Sequence, residues 1–255
     1  MQSVVYPSIV SEIFAAGLKF FKLGRFSFKI NRINENSGTL DYLQRCITKR
    51  QTLLCLGVQP DEHLFLLRKV VGSSGKLVVF APKPIAFARL RQLVQLMGWM
   101  NVTIEPLKVS DALHEITIDT RFAKRDFTKG ATVINIKEIR SYKEKKAASA
   151  QTLDAYCASE NIEPDFIEIN MPAYELKVLQ GATEILKKHK PTVMIECEEG
   201  LAGRSNILKT FEFLTSLKYK GFFILDTIRI PLQNFDFDAY QNPRTDFYCN
   251  TFIFE

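Results

Sequence analysis

Asp165-Phe-Ile-Glu-Ile-Asn-Met-Pro-Ala-Tyr-Glu-Leu-Lys-Val-Leu-Gln-Gly-Ala-Thr-Glu-Ile-Leu-Lys-Lys-His-Lys-Pro-Thr-Val-Met-Ile-Glu196 decides the fold of this chain. It reads as a buried strand (Asp165 to Ile169), a short polar turn, an amphipathic helix and a second buried strand (Thr192 to Ile195). Leu176, Leu179, Ala182, Ile185 and Leu186 supply the apolar face of that helix. Strand, helix, strand in this order is the unit of a parallel sheet. In such a sheet ligands bind beyond the carboxyl ends of the strands, which places chemistry in the turn after Ile169.

The same alternation extends in both directions. Upstream, Thr52-Leu-Leu-Cys-Leu56 is an apolar strand, followed by a helix with Leu64, Leu67, Val70 and Val71 on one side. Lys76-Leu-Val-Val-Phe80 is the next strand. Pro84 opens a helix whose buried stripe is Leu90, Leu93, Val94 and Met97, and Val102 to Glu105 is the third strand. Glu115 to Asp119 and Ala131 to Ile134 read as strand-like pieces in a less regular region, and Thr152 to Ser159 as a helix. Downstream, Ile207, Leu208, Phe211, Leu214 and Leu217 mark a long helix, and Phe222 to Leu225 and Phe247 to Phe254 close the chain as strands. Only a loop, Thr227 to Asp246, joins the last two strands, so they are expected to pair antiparallel. The expected fold is therefore α/β and Rossmann-like: a mostly parallel seven-stranded sheet with an antiparallel terminal hairpin and helices on both faces. Residues 51–255 form that domain. Residues 1–50 read as an N-terminal extension, with a helix around Ser8 to Phe21, an alternating strand at Arg25 to Ile30 and a helix at Thr39 to Lys49.

At 255 residues, 46% hydrophobic and 24% charged, the chain can bury one sizeable core. No apolar run reaches the roughly 18 residues of a membrane span, and the start lacks the basic and apolar regions of a signal peptide. No transmembrane segment and a cytoplasmic location are expected. The five cysteines are scattered with no C-x-x-C pair, which fits reduced thiols better than disulfides or a zinc motif. The net charge of +6 is mild. Lys143 to Lys146 and Lys187 to Lys190 read as solvated faces without stacked aromatic or Arg-rich motifs, so no nucleic-acid partner is expected.

The Asp165 to Glu196 segment resembles the FkbM family of S-adenosylmethionine-dependent methyltransferases, which reads approximately DFIKIDVEGAE here, then VL-GA, then a proline-led strand ending in Glu. The resemblance covers Thr52 to Phe254 and implies a class I methyltransferase fold, S-adenosylmethionine as cofactor, and O-methylation of a sugar, glycolipid or secondary-metabolite hydroxyl. After the first strand the family reads D-V-G-A-N-x-G; Gly57 matches its first glycine, Gln59 stands for Asn, Cys55 for Asp and Asp61 for the second glycine. After the second strand F-E-P-N-P becomes Phe80-Ala-Pro-Lys-Pro84, so Ala81 replaces the carboxylate that holds the cofactor ribose and Lys83 adds positive charge. Ser110 and Asp111 match the family's A-L-S-D segment beside the adenine. Asn170 replaces Asp, and Pro172 and Ala173 replace Glu and Gly, while Glu175 is retained in the first turn of the helix, where it can complement the dipole. The resemblance thus implies Gly57, Gln59, Ala81, Lys83, Ser110, Asp111 and Asn170 around the cofactor.

Glu196, Glu198 and Glu199 end the fifth strand on the site side. Glu196 and Glu198, with His63 at the start of the helix after the altered loop, are the candidates for a catalytic base. His114 is a second histidine candidate, and His189 reads as a surface residue at a helix end. No H-E-x-x-H, clustered carboxylate-His set, G-x-S-x-G or Walker loop occurs, so no metal centre is expected. The alternative to an enzyme is a degenerate relative that keeps the fold as a binding or partner subunit. Partners expected are a small-molecule or glycan acceptor, and a homo-oligomer is compatible with the sequence.

Overall fold

A computed structural model describes residues 42–43, 46–48, 50–57, 61–112, 114–117, 147–225, 228–242 and 248–255. The helix and strand expected at Ser8 to Phe21 and Arg25 to Ile30, and the strand-like Ala131 to Ile134, lie outside these residues. In chain order the elements are β1 (Thr52–Leu56), α1 (Asp61–Val71), β2 (Lys76–Phe80), α2 (Pro84–Met97), β3 (Val102–Glu105), β4 (Lys108–Val109), β5 (His114–Thr117), β6 (Ala147–Gln151) and α3 (Leu153–Glu160). There follow β7 (Phe166–Ile169), α4 (Glu175–Gln180), α5 (Thr183–Lys188), β8 (Thr192–Glu196), α6 (Glu199–Ala202), α7 (Arg204–Ser216), β9 (Gly221–Leu225), β10 (Ile228–Pro231), α8 (Phe237–Tyr240) and β11 (Thr251–Phe254).

Eight of these strands form one sheet in the order β10-β9-β11-β8-β7-β1-β2-β3. Pairing is parallel from β3 through β8, and β11 runs antiparallel to both β8 and β9. The antiparallel closing pair expected from the sequence is present as β9 and β11. The sheet has one strand more than the seven expected, because the Thr227 to Asp246 loop contributes β10, antiparallel to β9. This strand is only four residues long and ends at Pro231, which cannot donate to a further ladder. Arg229 anchors it, lying 3.6 Å over the Phe222 ring and donating two hydrogen bonds, at 3.1 and 2.6 Å, to the Glu255 carboxylate.

Alternation along the strands divides the core into two layers. Leu54, Leu56, Val78, Phe80, Ile167, Ile169, Val193 and Ile195 pack with residues of α3, α4, α5 and α7. Leu53, Cys55, Leu77, Val79, Ala81, Phe166 and Met194 pack with residues of α1 and α2. The buried stripes of α1 and α7 fall where the 3.6 period puts them, at Leu64, Leu67, Val70 and Val71, and at Ile207, Phe211 and Leu214. Leu208, expected on the α7 core face, is exposed instead; the 207, 211, 214 spacing already fills that face.

The helix expected from Leu176 to Leu186 is two short helices, α4 and α5, broken at Gly181. The break has a packing cause: a Cβ on Gly181 would lie 2.1 Å from the Ser110 carbonyl oxygen, so the chain after β4 presses directly on the helix backbone. Asp154 of α3 then caps α5, its carboxylate accepting from the Glu184 and Ile185 N–H groups at 3.0 and 2.9 Å. A three-stranded sheet, β4-β6-β5, lies beside this joint and has no counterpart among the sequence expectations, apart from the strand-like reading at Glu115.

Candidate active site at the carboxyl edge

Strand order reverses between β1 and β7: the chain runs outward through β1, β2 and β3, then returns to place β7 on the other side of β1. An α/β sheet opens a crevice for ligands at such a switch point. The carboxyl ends of β1, β7 and β8 bring Gly57, Asn170 and Glu196 together there. Gly57 has φ +87°, and a Cβ on it would lie 1.8 Å from the Asn170 carbonyl oxygen. The Asn170 N–H donates to the Leu56 carbonyl at 2.8 Å, so the first turn is clasped directly onto the end of β7.

Above that clasp the Asn170 side-chain amide donates to Glu196 Oε2 at 2.5 Å. Burial, with the nearby charge of Glu168 next, pushes the Glu196 carboxyl up to about 7, against the opposing influence of His63 and of the Asn170 hydrogen bond. Glu198 is half-buried one turn further on and accepts from the Asn250 amide at 3.1 Å. It also sits at the N-terminus of α6, where its carbonyl accepts from Leu201 and Ala202.

Beneath the edge, on the α1 side, lies a polar cluster inside an apolar layer. Glu168 is 1% exposed. Its Oε2 accepts from the Cys55 thiol at 3.1 Å, and its Oε1 lies 2.7 Å from His63 Nε2. Burial alone would raise Glu168, but His63 and the two hydrogen bonds hold it below the ordinary carboxylate range. Burial likewise disfavours a charged His63; the Glu168 charge outweighs it and leaves the imidazole above its usual value. His63, a sequence candidate for the base, is therefore turned inward to Glu168 rather than free at the edge. Glu168 is absent from the sequence-derived candidates, although a carboxylate inside a strand expected to be buried is itself a signal.

The remaining candidates sit elsewhere along the edge. Ala81 is 5% exposed, part of the α1/α2 layer, and its N–H donates to the Glu105 carbonyl at 2.7 Å. Lys83 is exposed just before α2. Ser110 is buried against Gly181 and donates its hydroxyl to the exposed Asp111 at 2.9 Å. The pair precedes β5. Gln59 lies outside the described residues, and nothing is described of the side chains of Asp61 and His114. His189 ends α5, as expected. Glu105, at the carboxyl end of β3 and beside Ala81, was not singled out; it accepts from the Tyr156 hydroxyl at 3.3 Å.

Glu175 stands in the first turn of α4, as expected, but inside the protein. It is fully buried, with both carboxylate oxygens lacking a hydrogen-bond partner, although the N–H groups of Ala173, Tyr174 and Glu175 lie near enough to temper the effect. Burial raises it to about 7 from an unfolded value of 4.5. A carboxyl raised on folding binds more protons in the native state, so its contribution to stability falls between about pH 4.5 and 7 and is flat above. Urea unfolding should therefore find Glu175→Gln more stable than the parent at pH 8, by on the order of 2–3 kcal/mol, and the advantage should shrink at pH 5. A difference independent of pH would show that ionisation of Glu175 is not what destabilises the parent.

The fold is that of class I S-adenosylmethionine-dependent methyltransferases. The family model of the methyltransferase FkbM domain matches residues 55–223, and the chain belongs to that family. Among solved structures it is similar to the methyltransferase FkbM of Methylobacillus flagellatus KT, at 14% identity and TM-score 0.52, over 80% of this chain and 43% of that one. It is also similar to an O-methyltransferase from Bacillus cereus solved with SAH, at 10% identity and TM-score 0.50, over 100% of this chain and 92% of that one. This chain thus spans less than half the length of the Methylobacillus protein. No curated protein matches it by sequence. Among the described residues no helix is long and apolar enough to cross a membrane.

Proposed function

We propose that the chain is an S-adenosylmethionine-dependent O-methyltransferase acting on a hydroxyl of a sugar, glycolipid or secondary metabolite, with Glu196 as the general base. One observation carries this reading: at the switch point of a methyltransferase fold stands a carboxylate aligned by Asn170 and raised to about 7. A base with that value is half deprotonated at neutral pH and still strong enough to accept a hydroxyl proton in the transition state.

The residues present fit the cofactor through a changed donor set. Carboxylates end β3 and β8, at Glu105 and Glu196, and Glu198 follows the latter, which suits a ligand bearing a cationic sulfonium and ammonium. Asn170, Gly57, Ser110, Asp111 and Lys83 would line it. When bound, S-adenosylmethionine supplies an electrophilic methyl group. Glu196 takes the acceptor's proton, Asn170 fixes the carboxylate's orientation, and Glu198 keeps the acceptor end of the crevice acidic. The free, buried thiols of Cys55, Cys157, Cys197 and Cys249 fit a reducing, cytoplasmic setting.

A second reading, a binding or partner subunit, is favoured by the burial of Ala81 in the apolar layer, which leaves the end of β2 without an acceptor. Calorimetry with S-adenosylmethionine and S-adenosylhomocysteine separates the two. Micromolar affinity supports the enzyme, and no heat at millimolar ligand supports the subunit. In the same assay Ala81→Glu should tighten binding roughly tenfold to a hundredfold by restoring charge-assisted bonds to the ribose hydroxyls. An unchanged affinity in a folded variant would mean that the ribose is not held at the end of β2.

A further inference from the structure

We propose that Cys55, His63 and Glu168 form a binding site for a divalent transition-metal ion of the zinc type. The three side chains come from neighbouring parallel strands, β1 and β7, and from α1, which covers them. One sulfur, one imidazole nitrogen and one carboxylate oxygen lie within 4.8 Å of one another. Within that group Glu168 is 3.1 Å from the thiol and 2.7 Å from His63 Nε2. A tetrahedral zinc ion with bonds of about 2.0–2.3 Å needs ligand atoms only slightly further apart than these hydrogen bonds. Small side-chain rotations would therefore make room for the ion without moving the strands.

Charge and polarity favour this occupant. A carboxylate 1% exposed in the middle of a sheet is costly to leave uncompensated. In the metal-free chain two hydrogens, from a thiol and an imidazole, converge on it. An ion would take their place: the thiol proton leaves to solvent, and the Nε2 proton is likewise lost to solvent or moves to Nδ1. The histidine coordinates through the freed Nε2 as the neutral imidazole with its hydrogen on Nδ1, and thiolate plus carboxylate cancel the two positive charges. The mixed sulfur, nitrogen and oxygen set matches zinc and cobalt and is poorly suited to magnesium or calcium. Three protein ligands leave one position of a tetrahedron open, and His63, at 26% exposed, gives the cluster its route to solvent. Sequence spacing hides the site, because Cys55 and Glu168 are 113 residues apart. The ion would tie β1, β7 and α1 together under the crevice, and the proposal does not depend on methyl transfer.

The test uses the full chain, stripped of metal under reducing conditions and titrated with cobalt(II), then zinc(II). The expected result is uptake of one cobalt ion per chain with thiolate-to-cobalt charge-transfer absorption, displacement by zinc, and a higher Tm in the zinc-loaded chain. Cys55→Ser should abolish the charge-transfer band, whereas Cys157→Ser, at a buried cysteine on α3, should retain it. His63→Gln, which removes the most exposed ligand and endangers the fold least, should weaken zinc binding by at least about tenfold. Absence of the band in the folded parent chain at saturating cobalt, or a band that survives Cys55→Ser, would overturn the proposal and leave the cluster a buried ion pair.

Discussion

Glu196→Gln is expected to lower kcat for methyl transfer by on the order of 10²–10⁴, the usual contribution of a positioned general base. The substitution keeps the shape of the side chain and an oxygen to accept from the Asn170 amide, so the local hydrogen bond survives. What it removes is the site that receives the proton. Because burial and the Glu168 charge raise the carboxyl to about 7, kcat of the parent should climb as pH passes through that value and then level off. The variant should show no such inflection. The variant's Tm should be no lower than the parent's, which separates loss of a base from collapse of the crevice. A variant within a few-fold of the parent kcat, or one that keeps the inflection near pH 7, would remove Glu196 from the mechanism and return the role to another group at the edge.

The second large effect falls on the clasp that shapes the crevice. Gly57→Ala places a Cβ 1.8 Å from the Asn170 carbonyl oxygen, at a residue whose φ is +87°. The neighbour is backbone at the end of a central strand, so it cannot swing aside as a long side chain would. A strained backbone angle costs about 1–3 kcal/mol and overpacking a similar amount, so the loss should be roughly 2–6 kcal/mol. That is a large share of the roughly 5–15 kcal/mol that holds a domain together. Gly98→Ala is the control: it has φ +64° but no atom within 4 Å of the added Cβ, so only the backbone term of about 1 kcal/mol should appear. Denaturant unfolding of both variants measures the difference. If Gly57→Ala costs no more than Gly98→Ala, the turn moves away from β7 freely and the clasp does not define the crevice.

Glu196 and Gly57 both meet Asn170 at one edge, but the sequence reveals them to different degrees. The position of Glu196 at the end of a strand was readable from Thr192 to Glu196, because a run of buried residues ending in a carboxylate leaves that carboxylate at the strand's exit. Its raised value was not readable, since it depends first on burial and then on Glu168 from β7 lying nearby. Gly57 was readable as a tight turn. That it is required by the Asn170 carbonyl emerges only when β1 and β7 lie side by side.

The loop connection read at Thr227 to Asp246 gave the antiparallel pairing of the last core strands, and periodicity determined the order of helices and strands along the chain and the buried stripes of α1 and α7, because period 2 and period 3.6 are local properties of the chain. It also placed Asn170 and Glu196 at the ligand-binding edge. The tertiary structure decided the rest. It added β10, where Arg229 finds Phe222 and Glu255. It broke the helix at Gly181, where Ser110 comes too close for a side chain. It buried Glu175 in the first turn of α4, and it turned His63 inward to gather Cys55 and Glu168 into one cluster. Each of these depends on contacts between residues far apart in the chain, and long-range proximity is set by packing the whole sheet rather than by any local run of residues.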